Sequence, residues 1–119
     1  VLFLYVYLKS EYSNNVNRNS EDVTLIAVTK TVDVDKVLEA IEYGVKDVGE
    51  NKPQELARKY DIIGDKVRWH LIGSLQTNKV KYIIDKVSMI HSLDREALCE
   101  EIQKRAEKID KTIYLNMKI

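Results

Sequence analysis

Five residues of this chain combine a reactive or ligating side chain with a position where α/β proteins do chemistry: Lys30, Asn51, His70, Ser74 and His91. Lys30 follows VTLIAV (23–28), a continuous apolar run rich in β-branched residues, as expected of a buried strand. A lysine that ends such a strand points into the mouth of a sheet or barrel, against apolar walls. Partial desolvation lowers the pKa of lysines in general, and a neutral amine attacks an aldehyde to form a Schiff base. Position alone fits equally a lysine that snorkels its head into water.

His70 lies toward the end of the strand run VRWHLI (67–72), and His91 ends VSMIH (87–91). Each has the chemistry of a base, and each suits a strand-end histidine bonded to backbone. Asn51 stands three residues before Gln54, which is capping-box spacing, and helix N-termini attract anions. Ser74 lies in GSLQTNKVKYI (73–83), where Gly73 frees the exiting backbone and Gln76, Asn78 and Lys79 gather polar groups. A solvated helix start accounts for that segment too. Cys99 falls mid-helix near the apolar side and reads as a small core hydrophobe.

Other chemistries find no support. The sequence has no G-x-G-x-x-G, no Walker A pattern and no Ser-His-Asp order. A single cysteine excludes a disulfide framework and a cysteine-built zinc site, and the two histidines lack metal-ligand spacing. Nineteen basic and nineteen acidic residues cancel, so a nucleic-acid partner is not expected. The apolar share of 45% and the charged share of 32% are those of an ordinary globular domain.

The elements that must position these residues follow from periodicity. Val34, Val37, Leu38 and Ile41 share one helix face, with Asp33 as a cap and Gly44 as the stop. A short strand is expected near 45–48. A helix then runs from Asn51, with Pro53 in its first turn, to about Tyr60, and Gly64 closes the unit. A strand at 67–72, a helix at 75–84, a strand at 87–91, a helix capped by Asp94 and a strand from 112 complete the order β-α-β-α-β-α-β-α-β. That alternation implies a parallel sheet, either open and doubly wound or curved into part of a (β/α)₈ barrel. In both layouts function gathers at the strand C-termini: Thr29 to Thr31, Gly49 to Asn51, His70 to Ser74, and His91 with Ser92.

Four segments resemble the pyridoxal phosphate homeostasis protein family, which shares the alanine racemase N-terminal-domain fold. They are LIAVTK (25–30), GENKPQE (49–55), WHLIGSLQTNKVKYI (69–83) and IHSLD (90–94), in family order from about Asp22 to the last residue. The resemblance implies an α/β fold, the N-terminal half of a (β/α)₈ TIM barrel, with pyridoxal 5′-phosphate in its mouth. Lys30 matches the lysine that forms the Schiff base, and Asn51 matches a residue lining the cofactor site. His70, Ser74 and His91 fall in segments beside it. Members hold and deliver the cofactor in the cytoplasm without robust turnover; a racemase-like enzyme and a non-functional fragment are the alternatives.

The resemblance also implies a chain truncated at both ends, because the family's phosphate-binding residues lie in a C-terminal half that this sequence lacks. Residues 1–21 are expected to form an atypical leader or linker, and 22–119 a partial barrel domain. Val1 to Leu8 (VLFLYVYL) is too short to span a bilayer, and no membrane anchor is expected. Self-association, or a second chain that completes the barrel, is the expected partnership.

Overall fold

A computed structural model describes residues 14, 15, 17 and 19–117, so the apolar stretch Val1 to Leu8 lies outside the described residues. Five strands alternate with four helices: β1 (Ala27–Val28), α1 (Val34–Glu42), β2 (Asp47–Glu50), α2 (Pro53–Ile63), β3 (Arg68–Leu71), α3 (Val80–Ile83), β4 (Met89–Leu93), α4 (Glu96–Lys108) and β5 (Tyr114–Met117). Where composition predicts plain loop before β1, Asn14 and Asn15 are helical and Ser20–Asp22 form a 3₁₀ turn.

All four strand pairings are parallel, and the order across the sheet is β1-β2-β3-β4-β5. That order decides between the two layouts. A doubly wound sheet reverses direction at a switch point and carries helices on both faces. Here every crossover advances the same way, and right-handed connections then set the helices along one face. The sheet is an arc of a (β/α)₈ barrel.

Strand parity sorts the side chains. Val48, Trp69, Leu71 and Ile90 turn toward the helices and are at most 1% exposed. They pack with Leu56, Ile63, Val80, Ile83, Leu98 and Ile102 in one core. Burial of each such side chain stabilises the fold by roughly 1.5–3 kcal/mol. Trp69 donates its indole N–H to the Gly64 carbonyl at 2.8 Å and stacks at a tilt on Tyr60. The opposite parity, Asp47 and Gly49, Arg68 and His70, Met89 and His91, turns to the inner face.

Three glycines do specific work. Gly44 and Gly64 follow α1 and α2 with φ of 111° and 71°, which costs a glycine little. Gly73 is required by contact: a Cβ there would sit 2.3 Å from the Asn51 carbonyl oxygen.

The expected caps differ from those observed. Asn51 does not cap α2; Lys52 occupies that position, without a side-chain cap bond, and Pro53 follows in the first turn. The Asn51 backbone instead abuts Gly73, which ties the end of β2 to the exit of β3. Asp94 does not cap α4 either, since Arg95 stands there and pairs with Asp94 at 2.6 Å. Asp33 does precede α1, though its side chain makes no cap bond.

Candidate functional site

Lys30 lies just past β1, two residues beyond the paired Val28 and Gly49. Asn51 lies two residues beyond Gly49 on β2, so the two share one rim of the sheet. Lys30 is exposed, and its ammonium has no hydrogen-bond or ion-pair partner among the described residues. Gly49 keeps the face below it narrow, with Ile26 and Ile72 methyls 3.1–3.2 Å from where a Cβ would stand. The rim thus offers an unpartnered lysine whose exposure differs from the expected placement against apolar walls, because β1 pairs over only two residues and ends before it.

The chain around Lys30 is held tightly. The Thr29 amide donates to the Gly49 carbonyl at 3.0 Å, and its hydroxyl donates to the Glu50 carboxylate. Lys59 of α2 reaches under the strand end and donates to the Thr29 carbonyl at 2.7 Å and to Glu50 Oε2 at 2.7 Å. Thr31, on the other side of Lys30, has φ of 62°. A β-branched residue there is an outlier, and such strain persists only where surrounding structure enforces it.

A second polar system crosses the inner face. His70 Nε2 lies 2.9 Å from Asp47 Oδ1, His70 Nδ1 lies 2.9 Å from His91 Nε2, and the Asn116 amide nitrogen lies 3.2 Å from His91 Nδ1. Only one arrangement of neutral rings satisfies all three contacts. The Asn116 amide donates to His91, His91 donates through Nε2–H to His70, and His70 donates through Nε2–H to Asp47. Arg68 completes the far end with a two-pronged contact to Asp47 at 2.8 Å.

Two groups of this system have displaced pKa values. Burial opposes the charge on Asp47, but its hydrogen bonds and ion pairs with Arg68 and His70 prevail and hold its carboxyl below the ordinary value. Burial, and then the neighbouring His70, push the His91 pKa below the ordinary imidazole value. His91 is therefore biased toward its neutral form.

The sequence-derived residues thus fall into two groups. Lys30 and Asn51 share the β1–β2 rim, while His70 and His91 meet on the inner face, each with both ring nitrogens engaged. Ser74 is exposed in the loop after β3. Its neighbour Gly73 accepts from the buried Ser92 hydroxyl at 2.6 Å, which ties that loop to β4. Cys99 is half-buried against the core, as expected. Asp47, Glu50, Lys59 and Asn116 escaped sequence reasoning. A charged residue at an inward position of a buried strand was the available signal for Asp47. Among the described residues no group of three His, Cys, Asp or Glu side chains is placed to hold a metal ion, and no helix is long and apolar enough to cross a membrane.

Among curated proteins, the pyridoxal phosphate homeostasis protein of Aquifex aeolicus is 48% identical over 92 residues, covering 76% of this chain and 40% of that protein. The chain is similar to members of the pyridoxal phosphate homeostasis protein family. The family member of Synechocystis is 31% identical over 108 residues, covering 89% of this chain and 50% of its own length. Among solved structures, PipY of Synechococcus elongatus, determined with PLP bound, matches with a TM-score of 0.76 at 30% identity. It is covered over 51% of its chain by 90% of this one. An unknown protein from Bifidobacterium adolescentis matches with a TM-score of 0.85 at 29% identity. The chain thus spans about half, or less, of the length of these family members. No family model matches it.

Proposed function

We propose that this chain carries the lysine-bearing half of a pyridoxal 5′-phosphate-binding barrel that serves cofactor homeostasis, with residues 22–119 as the barrel unit. The cofactor brings an aldehyde that condenses with an amine. The observation that carries the reading is the Lys30 amine, unpartnered on the rim of the arc and held between a clamped Thr29 and a strained Thr31. The residues present fit the group: an exposed amine without a partner among the described residues stands on the rim, and Ile26 and Ile72 close over Gly49 on the neighbouring strand. Lys30 holds the cofactor covalently. Asn51 and Ser74 line the rim around it, and His70 and His91 form the polar inner face.

Holding the cofactor suits this geometry better than turnover. A racemase needs a base on each face of its substrate. His70 and His91 have both ring nitrogens committed to the chain that ends on Asp47, so neither is free to be the second base. The net charge of zero speaks against a nucleic-acid partner, and the half-buried lone cysteine suits the reducing cytoplasm. A second copy, or a chain that completes the barrel, is the partner that the exposed Tyr114 and Met117 of β5 call for.

Equilibrium dialysis of pyridoxal phosphate against the chain and against Lys30→Ala tests the reading. Weak retention is expected for the chain alone, rising as the chain self-associates or a barrel-completing segment is added, and absent in the variant. Equal retention by the variant contradicts the assignment of Lys30.

A further inference from the structure

A buried ion pair lies behind Lys30, and holding a cofactor does not by itself explain it. Lys59 and Glu50 are each 1% exposed, with Nζ 2.7 Å from Oε2. Such a pair adds little net stability over well-packed apolar residues, because desolvation offsets the attraction. Its contacts point to another role. Lys59 and Glu50 together take the carbonyl and the hydroxyl of Thr29, and Gly49 takes its amide. The residue before Lys30 is thereby fastened at every polar group. The residue after it, Thr31, is held at φ of 62°, with its hydroxyl donating to the Lys30 carbonyl at 2.6 Å. An unfastened strand end would relax that outlier, and the direction of the intervening side chain would drift.

We propose that Glu50 and Lys59 are positioning residues: they clamp Thr29 and so aim the Lys30 amine along the rim, which sets its rate of capture of an aldehyde apart from that of other exposed lysines. This inference rests on the Lys30 reading above. Lys59 stays out of the reaction itself, since its ammonium is buried and bonded to Glu50 and Thr29.

The test uses the 119-residue chain, pyridoxal phosphate as the aldehyde probe, borohydride trapping and peptide mapping. The readout is the ratio of label at Lys30 to label at Lys36, whose side chain on α1 is 74% exposed and serves as an internal reference. The double variant Glu50→Gln/Lys59→Met removes both charges, so no lone charge is buried. It is expected to keep a cooperative melt while the ratio falls on the order of tenfold, as displaced reactive groups do. If the double variant does not melt cooperatively, Thr29→Val supplies the readout, because it keeps the ion pair and removes only the hydroxyl tether; the ratio is again expected to fall. An unchanged ratio in whichever variant melts cooperatively overturns the positioning role alone. Label scattered in the unaltered chain overturns the Lys30 reading, and this inference with it.

Discussion

The imidazoles of His70 and His91 meet edge to edge, Nδ1 to Nε2 at 2.9 Å, with their ring centroids 5.2 Å apart. Two adjacent imidazoles can share one such bond only if one donates and the other accepts. Asp47 at one end and Asn116 at the other fix which does which, so four strands are joined by one directed chain of hydrogen bonds. A second proton on His91 would turn Nδ1 into a donor facing the Asn116 amide donor, and would set a charge against His70.

The pH dependence follows. The His91 pKa is depressed in the folded chain, so the unfolded chain takes up that proton first as pH falls. Its contribution to stability is intact above about pH 6.5, is lost as pH drops toward the folded value, and then levels off. Melting temperatures between neutral pH and pH 5 should decline in the unaltered chain and decline less in His91→Asn. Asp47 acts in a separate, lower window, since its depressed carboxyl pKa favours the fold until pH falls below the ordinary carboxylate value.

Asp47 and Arg68 should differ in weight although they contact each other. Asp47 is 3% exposed and anchors the histidine chain, whereas the Arg68 side chain is 60% exposed. Asp47→Ala should cost about 2 kcal/mol, the worth of hydrogen bonds to a buried charge. Arg68→Ala should cost about 1 kcal/mol or less, as exposed pairs do. Urea unfolding of the two variants at neutral pH compares them directly.

The Lys59–Glu50 pair should show strong coupling. Lys59→Met alone strands a buried carboxylate and should cost about 3–5 kcal/mol. Adding Glu50→Gln should recover a large part of that loss. A double-mutant cycle by denaturant unfolding measures the coupling; additive losses would contradict the buried pairing.

Two glycines separate backbone from side-chain crowding. Gly73→Ala would press a methyl onto the Asn51 carbonyl, which cannot step aside, and should cost about 2–3 kcal/mol. Gly49→Ala meets side-chain methyls of Ile26 and Ile72 at 3.1–3.2 Å, which must give by only a few tenths of an ångström, and should cost less, about 1 kcal/mol. Thermal melts of the two variants rank them.

Element order was legible in the sequence because buried parallel strands read as apolar runs and the helices carry one apolar face. Element edges moved, since pairing and not composition decides them: β2 sits at 47–50 instead of 45–48, and β1 shortens to the two residues that β2 reaches. Periodicity alone left barrel against open sheet undecided; the family resemblance pointed to the barrel, and strand order, a non-local property, agrees with it. Lys30, His70 and His91 were visible as polar residues at or near the ends of apolar runs. Their partners were not. Asp47 stands 23 residues from His70, and Asn116 stands 25 from His91. Lys59 looks like one more solvated helix lysine until packing buries it against Glu50. Asn51 was misread as a cap because local spacing cannot reveal that Gly73 comes to lie against it.

The central claim is that Lys30 is the cofactor lysine, and borohydride trapping tests it most directly. Pyridoxal phosphate at low concentration is added to the chain, reduced, and the modified peptide mapped, with Lys30→Ala as the control. Label concentrated at Lys30 and abolished in the variant is the predicted result. Label spread over many lysines, with the same pattern and total in the variant, would contradict it.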